Sequence, residues 1–175
     1  MGQTLAFPAA GTKLSISATV PETFDAIGFW FLSYTEIKEI ISFGEIGRVY
    51  KEVEHKPVSS GQTFRPKGSR DDGALQLTMA KVRSDPGQII LREALLSQVD
   101  YYFRLEFGDN VDNELISNTI IYFPGKVISM PKSIREINNI VTKTVNISIN
   151  GSLVESGAST YLFDETELLD TLELI

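Results

Sequence analysis

The residues most able to do chemistry are its carboxylates. Glu52 and Glu54 alternate along one segment, and Asp71 and Asp72 are adjacent. Two such acids could act as general acid and base, as in glycoside hydrolases. A solvated strand or loop carries the same patterns as plain surface charge, and nothing nearby supplies the rest of an active site. There is no nucleophile elbow and no Gly-rich phosphate loop. Lys67-Gly68-Ser69 lacks the leading glycine and the spacing of a phosphate-binding turn. With His55 as the single histidine and no cysteine, neither a multi-His nor a thiolate metal centre can form, and no disulfide framework exists. Trp30 and Tyr34 could stack on sugars or bases, but aromatic residues chiefly supply the buried area of cores and subunit interfaces. The expectation is a protein that is not an enzyme and has no cofactor.

Charge and composition narrow the classes further. A net charge of −7 runs against proteins that grip nucleic-acid phosphates, which present basic surfaces that displace counterions. The 175 residues, 42% of them hydrophobic, suit one domain with a substantial core. The N-terminus, MGQTLAFPAAGTKL, has neither the basic start nor the apolar core of a signal peptide, and no window approaches the ~20 apolar residues of a membrane span. A soluble chain with no membrane partner is expected. Ala6 stands where a myristoylation motif wants Ser or Thr. Asn146-Ile147-Ser148 and Asn150-Gly151-Ser152 match glycosylation tripeptides but lack a secretory route.

The elements that must position any functional residue are mostly strands. Leu75, Leu77 and Met79 alternate with Gln76, Thr78 and Ala80, a half-buried strand from Ala74 to Val82. After it, Ser84 or Asp85 can cap a helix, Pro86 suits its first position, and the helix should run over 85–97. Its core face is Ile90, Leu91, Ala94 and Leu95, joined by Ile89. Further strands are expected over Thr12–Val20, from Val49 to Lys56, over Val99–Phe107 and from Asn118 to Tyr122, the last ended by Pro124-Gly125. Phe24–Ile41 mixes both periods and reads as strands with irregular loop. Residues 57–70, rich in Ser, Gly and Pro, read as a long polar loop. Over 138–150, Val141, Val145, Ile147 and Ile149 share one face. Thr142, Thr144, Asn146, Ser148 and Asn150 form an uncharged polar one. The fold class is mainly β with one central helix, as a β-sandwich or barrel.

The order of these features resembles the tail tube proteins of long-tailed (siphophage-like) phages. The similarity lies in the run SYTEIKEIISFGEIGRVYKEVEHKPV, the charged turn and Gly before the strand at Ala74, and S-D-P-G-Q opening an apolar helix. It extends from about Thr12 to Gly157. The division it suggests is an N-terminal arm over 1–11, a β domain over 12–158 and an acidic, apolar tail over 159–175.

The resemblance implies a structural virion protein. Six subunits would pool inner strands into one ring-shaped barrel, and rings would stack into a tube that conducts DNA and houses the tape measure protein. Distal tail and tail terminator proteins would be further partners, with assembly in the bacterial host cytoplasm and residence in the virion tail. On this reading Glu52, Glu54, Thr142, Thr144, Asn146 and Ser148 face the lumen, where a wall without cations lets DNA slide. Ser59, Ser60, Gln62, Lys67 and Arg70 sit in an inter-ring loop. A secretion-system tube subunit and a tail terminator share the architecture, and a carbohydrate-binding module built on Trp30 and Tyr34 is the rival from another class. In the tail, Leu168, Leu172 and Ile175 recur at helical spacing among five acidic residues, which reads either as a helix that orders on docking or as a frayed terminus.

Overall fold

The computed structural model describes residues 9–56, 58, 62–109, 118–134 and 139–156. The N-terminal arm up to residue 8, Ser59, Ser60 and the C-terminal tail lie outside them. In chain order the elements are β1 (Lys13–Ser17), α1 (Ala26–Trp30), β2 (Thr35–Ile37), β3 (Ile40–Phe43), β4 (Val49–Glu52), β5 (Lys67–Asp71), β6 (Ala74–Ala80), α2 (Pro86–Leu96), β7 (Tyr101–Glu106), β8 (Ile120–Ser129), β9 (Lys132–Ser133), β10 (Thr142–Ile149) and β11 (Val154–Ser156). The mainly-β class expected from the sequence is what the chain adopts.

Nine strands form one antiparallel sheet in the order β2-β1-β7-β8-β10-β6-β3, with β11 on β8 and β9 on β10. Its two ends, β2 and β3, are consecutive in sequence, joined only by Lys38 and Glu39. Three Cα steps separate Ile37 from Ile40, a reach of at most ~11 Å. The sheet must therefore curl until its ends nearly meet, which gives the barrel-like form. Inside lie Leu14, Ile16, Leu75, Leu77, Phe103, Phe123, Val145 and Ile147.

Helix α2 closes the seam between the sheet's ends. Asp85 caps it, its Oδ2 accepting from Gln88 N at 2.9 Å and from Lys38 N at 3.4 Å. Gln88, fully buried, donates from Nε2 to the carbonyls of Ala80 (2.9 Å) and Lys38 (3.3 Å), tying β6 to the β2–β3 link. Gly87 lies so close to Glu36 O and Ile37 Cα that no Cβ fits there. Leu91 and Ala94 are buried and Ile90 and Leu95 pack beside them, whereas Ile89 remains exposed at the rim of the expected stripe.

Several elements differ from the sequence reading. β1 ends at Ser17, and Ser15 and Ser17 are buried, so both faces of this strand are covered rather than one. The mixed-period stretch contains α1, a single turn capped by Asp25, whose carboxylate accepts from Gly28 N at 2.8 Å. Residues 57–70 are not loop to their end, because Lys67–Asp71 pairs with β4 as a hairpin. Periodicity could not show this: both strands are exposed on both faces, so no apolar alternation exists to read.

β8 also continues through Pro124-Gly125. A strand residue points its N–H and C=O to the same side, and Pro124 O accepts from Asn150 N at 3.0 Å. The missing N–H thus faces the turn where β10 gives way to β11, and no ladder bond toward β7 is lost. At Gly125 a Cβ would stand 2.9 Å from Ile147 Cγ2 and from Ser148 O, so glycine permits the close approach of β10.

Candidate functional site

Three surfaces stand out among the described residues. The first is the outer face of β10 and its neighbours. Strict alternation along β10 buries Lys143, Val145, Ile147 and Ile149 and leaves Thr142, Thr144, Asn146 and Ser148 half-exposed together. Register sets Thr144 opposite Thr78 and Asn146 opposite Gln76 on β6, and Asn146 opposite Ser129 on β8. The patch is short amides and hydroxyls, with Lys126 opposite Ser148 at its rim. Such a surface offers polyanions hydrogen bonds but hardly an ion pair.

The second surface is the β4–β5 hairpin, a two-stranded sheet separate from the main one. Glu52 lies here, paired with Arg65 at 3.0 Å, and Glu54 follows on the same exposed ribbon. The structure thus gathers the four β10 residues on one face and sets the two glutamates on a different element. Lys67 lies over the Tyr50 ring at 4.9 Å, and Gln62 is exposed near the hairpin's far end. Arg70 works at the root. Its Nη2 donates to Asp72 Oδ2 at 2.8 Å and to Ser152 Oγ at 2.6 Å. Arg48 Nε meets the other Asp72 oxygen at 2.9 Å.

Asp72 is therefore a buried anchor between two guanidinium groups, not one half of a surface acid pair. Asp71 instead accepts from Gly73 N at 2.9 Å and shapes the turn into β6. Sequence reasoning missed this root; the signal was an arginine at each end of the hairpin, Arg48 and Arg70. The ribbon itself exposes Val49, Tyr50, Val53 and Phe64. These apolar groups stand uncovered on a ribbon separate from the main sheet.

The third surface surrounds α1. Val20, Phe24, Ile27, Trp30 and Phe31 are all exposed, Phe31 by 80%. Beneath them Phe29 stacks on Tyr122 at 5.5 Å and leans on Tyr102 at 6.1 Å, forming a small second core. Tyr34 belongs to that core. Its ring lies 6.2 Å from Tyr122 and beneath Arg104 at 5.5 Å, and burial, with Tyr122 beside it, pushes the phenol pKa well up. Trp30 and Tyr34 therefore do not form a shared sugar platform: one faces solvent and the other is committed to packing.

Among the described residues no group of three or more His, Cys, Asp or Glu side chains is placed to hold a metal ion, and no helix is long and apolar enough to cross a membrane.

No protein-family model and no curated protein matches the sequence. Solved structures do match its shape. A chain of the SPP1 tail tube is 18% identical over 90% of this chain and 84% of its own, with a TM-score of 0.61. A chain of the anti-feeding prophage tube-terminating cap is 10% identical over 90% and 95%, with a TM-score of 0.65. A chain from the tail of an empty gene transfer agent particle, refined with C6 symmetry, is 13% identical over 71% and 87%, at 0.55. At such identities the likeness is one of fold: this chain folds like components of phage tails and injection-system tubes.

Proposed function

We propose that this chain is a structural tube subunit, the major tail tube protein of a long-tailed phage or related particle. Six copies close into a ring and rings stack into the conduit for DNA. The observation that carries the reading is the uncharged polar face of β10 and β6, with Lys126 of β8 only at its rim, on a fold shared with tail tubes. Pooled around a ring axis, that face makes a lumen wall that hydrogen-bonds water and holds no phosphate. The exposed α1 aromatics serve the contact between neighbours in a ring, and the β4–β5 hairpin reaches the next ring. The tape measure protein occupies the lumen before DNA, with distal tail and terminator proteins at the tube ends. Assembly takes place in the host cytoplasm.

The likeness to a tube-terminating cap supports a second reading, a terminator that forms single rings. Electron microscopy of purified protein over rising concentration tests both. Tubes of unlimited length are expected; rings that never stack would favour the terminator, and a monomer at every concentration would overturn both readings.

A further inference from the structure

In a chain of net charge −7, one cavity is lined by cations alone among its charged residues. It measures about 470 Å³ and opens between the second half of α2, the segment after β6, β9 and the start of β10. Lys81, Arg83, Arg92, Lys132 and Lys143 surround it, and no carboxylate lines it. None of the five forms an ion pair among the described residues.

Lys143 is the most telling of them. It is only 3% exposed, yet its ammonium donates to a neutral acceptor, Gln88 Oε1, at 2.9 Å. Buried Asp85, beyond Gln88, offsets this charge only in part and forms no ion pair with it, so a buried charge remains whose cost a counter-ion would recover. The apolar part of the wall is Val82, Leu95, Leu96 and Met130, with Leu96 85% exposed at the helix end. An occupant must therefore bring several carboxylates and aliphatic side chains together.

The chain carries such a segment itself. Residues 164–175, DETELLDTLELI, hold five acidic residues, no basic ones, and Leu168, Leu172 and Ile175 at one helical spacing. Reach decides whose cavity it fills. Ser156 pairs with Ile120 at the start of β8, whereas Met130 follows its end. Ten strand spacings put these points about 33 Å apart. The eight Cα steps from Ser156 to Asp164 span at most ~29 Å, so the linker would have to be drawn fully taut to bring the segment to its own cavity.

We propose that the acidic segment Asp164–Ile175 of one copy docks in the cationic cavity beside α2 of a neighbouring copy. The neighbour is the one supplied by the tube reading, on which this inference rests.

The absence of cysteine allows a direct test. Full-length Leu96→Cys and Leu172→Cys chains are mixed, assembled, oxidised and run on non-reducing gels, with grids of the same samples examined for tubes. A disulfide between copies is expected. It should fall about tenfold with Arg92→Glu/Lys132→Glu in the Leu96→Cys chain, a loss of roughly 1.4 kcal/mol. It should return when the partner tail carries Glu165→Lys/Glu167→Lys. Circular dichroism shows whether each variant is folded, and 1 M NaCl on the unreversed pair repeats the charge test should one fail. Tubes without the cross-link, or a cross-link indifferent to both charge reversal and salt, would overturn the docking and leave the tube reading standing. A cross-link without tubes would support the docking and overturn the tube, and neither product would sink both.

Discussion

At the scale of single residues, the seam at the start of α2 carries the most testable chemistry. Asp85→Ala removes the cap on Gln88 and the bond to Lys38, and should cost about 1–2 kcal/mol in urea unfolding. Leu91→Ala empties a fully buried site and should cost about 2–5 kcal/mol. Lys143 makes a pH prediction. Burial, then Arg92, Lys132 and Lys81, hold its pKa below the ordinary 10.5 of a lysine. The unfolded chain therefore keeps this proton more tightly than the folded one. Stability contributed by this group is least below the folded pKa and rises as pH climbs toward 10.5. Lys143→Met should flatten that alkaline rise in thermal melts taken across pH; an unchanged pH slope would remove Lys143 as its source.

At the scale of elements, each exposed device hangs on the barrel by few groups. The β4–β5 hairpin is rooted by Asp72 between Arg48 and Arg70. Asp72→Asn keeps the shape but loses the charge on two guanidinium partners, so the hairpin should loosen while the main sheet stays intact. Hydrogen exchange should speed up at Val49–Glu52 and Lys67–Arg70, with Leu75–Met79 unaffected; equal loss in both would show that the hairpin is integral to the core. Gly87 meets the β2 backbone so closely that Gly87→Ala must push α2 away from the seam.

At the scale of the whole molecule, the tube reading divides the labour of assembly among the outer surfaces. Phe31→Glu adds charge to the exposed α1 patch without touching either core, so the monomer should fold with unchanged melting while rings fail to form on grids. Asn146→Lys, on the opposite task, should preserve tubes but hinder genome delivery, because a lysine in a confined wall releases counterions from passing DNA and holds it. Normal delivery by particles built from Asn146→Lys would move the lumen away from β10.

The sequence alone determined what local chemistry dictates. The alternation of β6 and β10, the Asp85-Pro86 start of α2 and its Leu91/Ala94 face are legible because one-sided burial writes a period of two or 3.6 into the chain. The polar set Thr142, Thr144, Asn146 and Ser148 was legible for the same reason. Tertiary structure decided the rest, since it depends on what lies across space. Pro124 looks like a strand end until Asn150 shows which side its missing N–H faces. Asp72 looks like surface until Arg48 and Arg70 close on it from the two ends of a hairpin. Lys143 looks solvated until the alternation of β10 turns it inward beside Gln88, from a position 55 residues away. No local pattern encodes a partner that far along the chain; only the curl of the sheet, with β2 and β3 brought within two residues of meeting, sets these groups side by side.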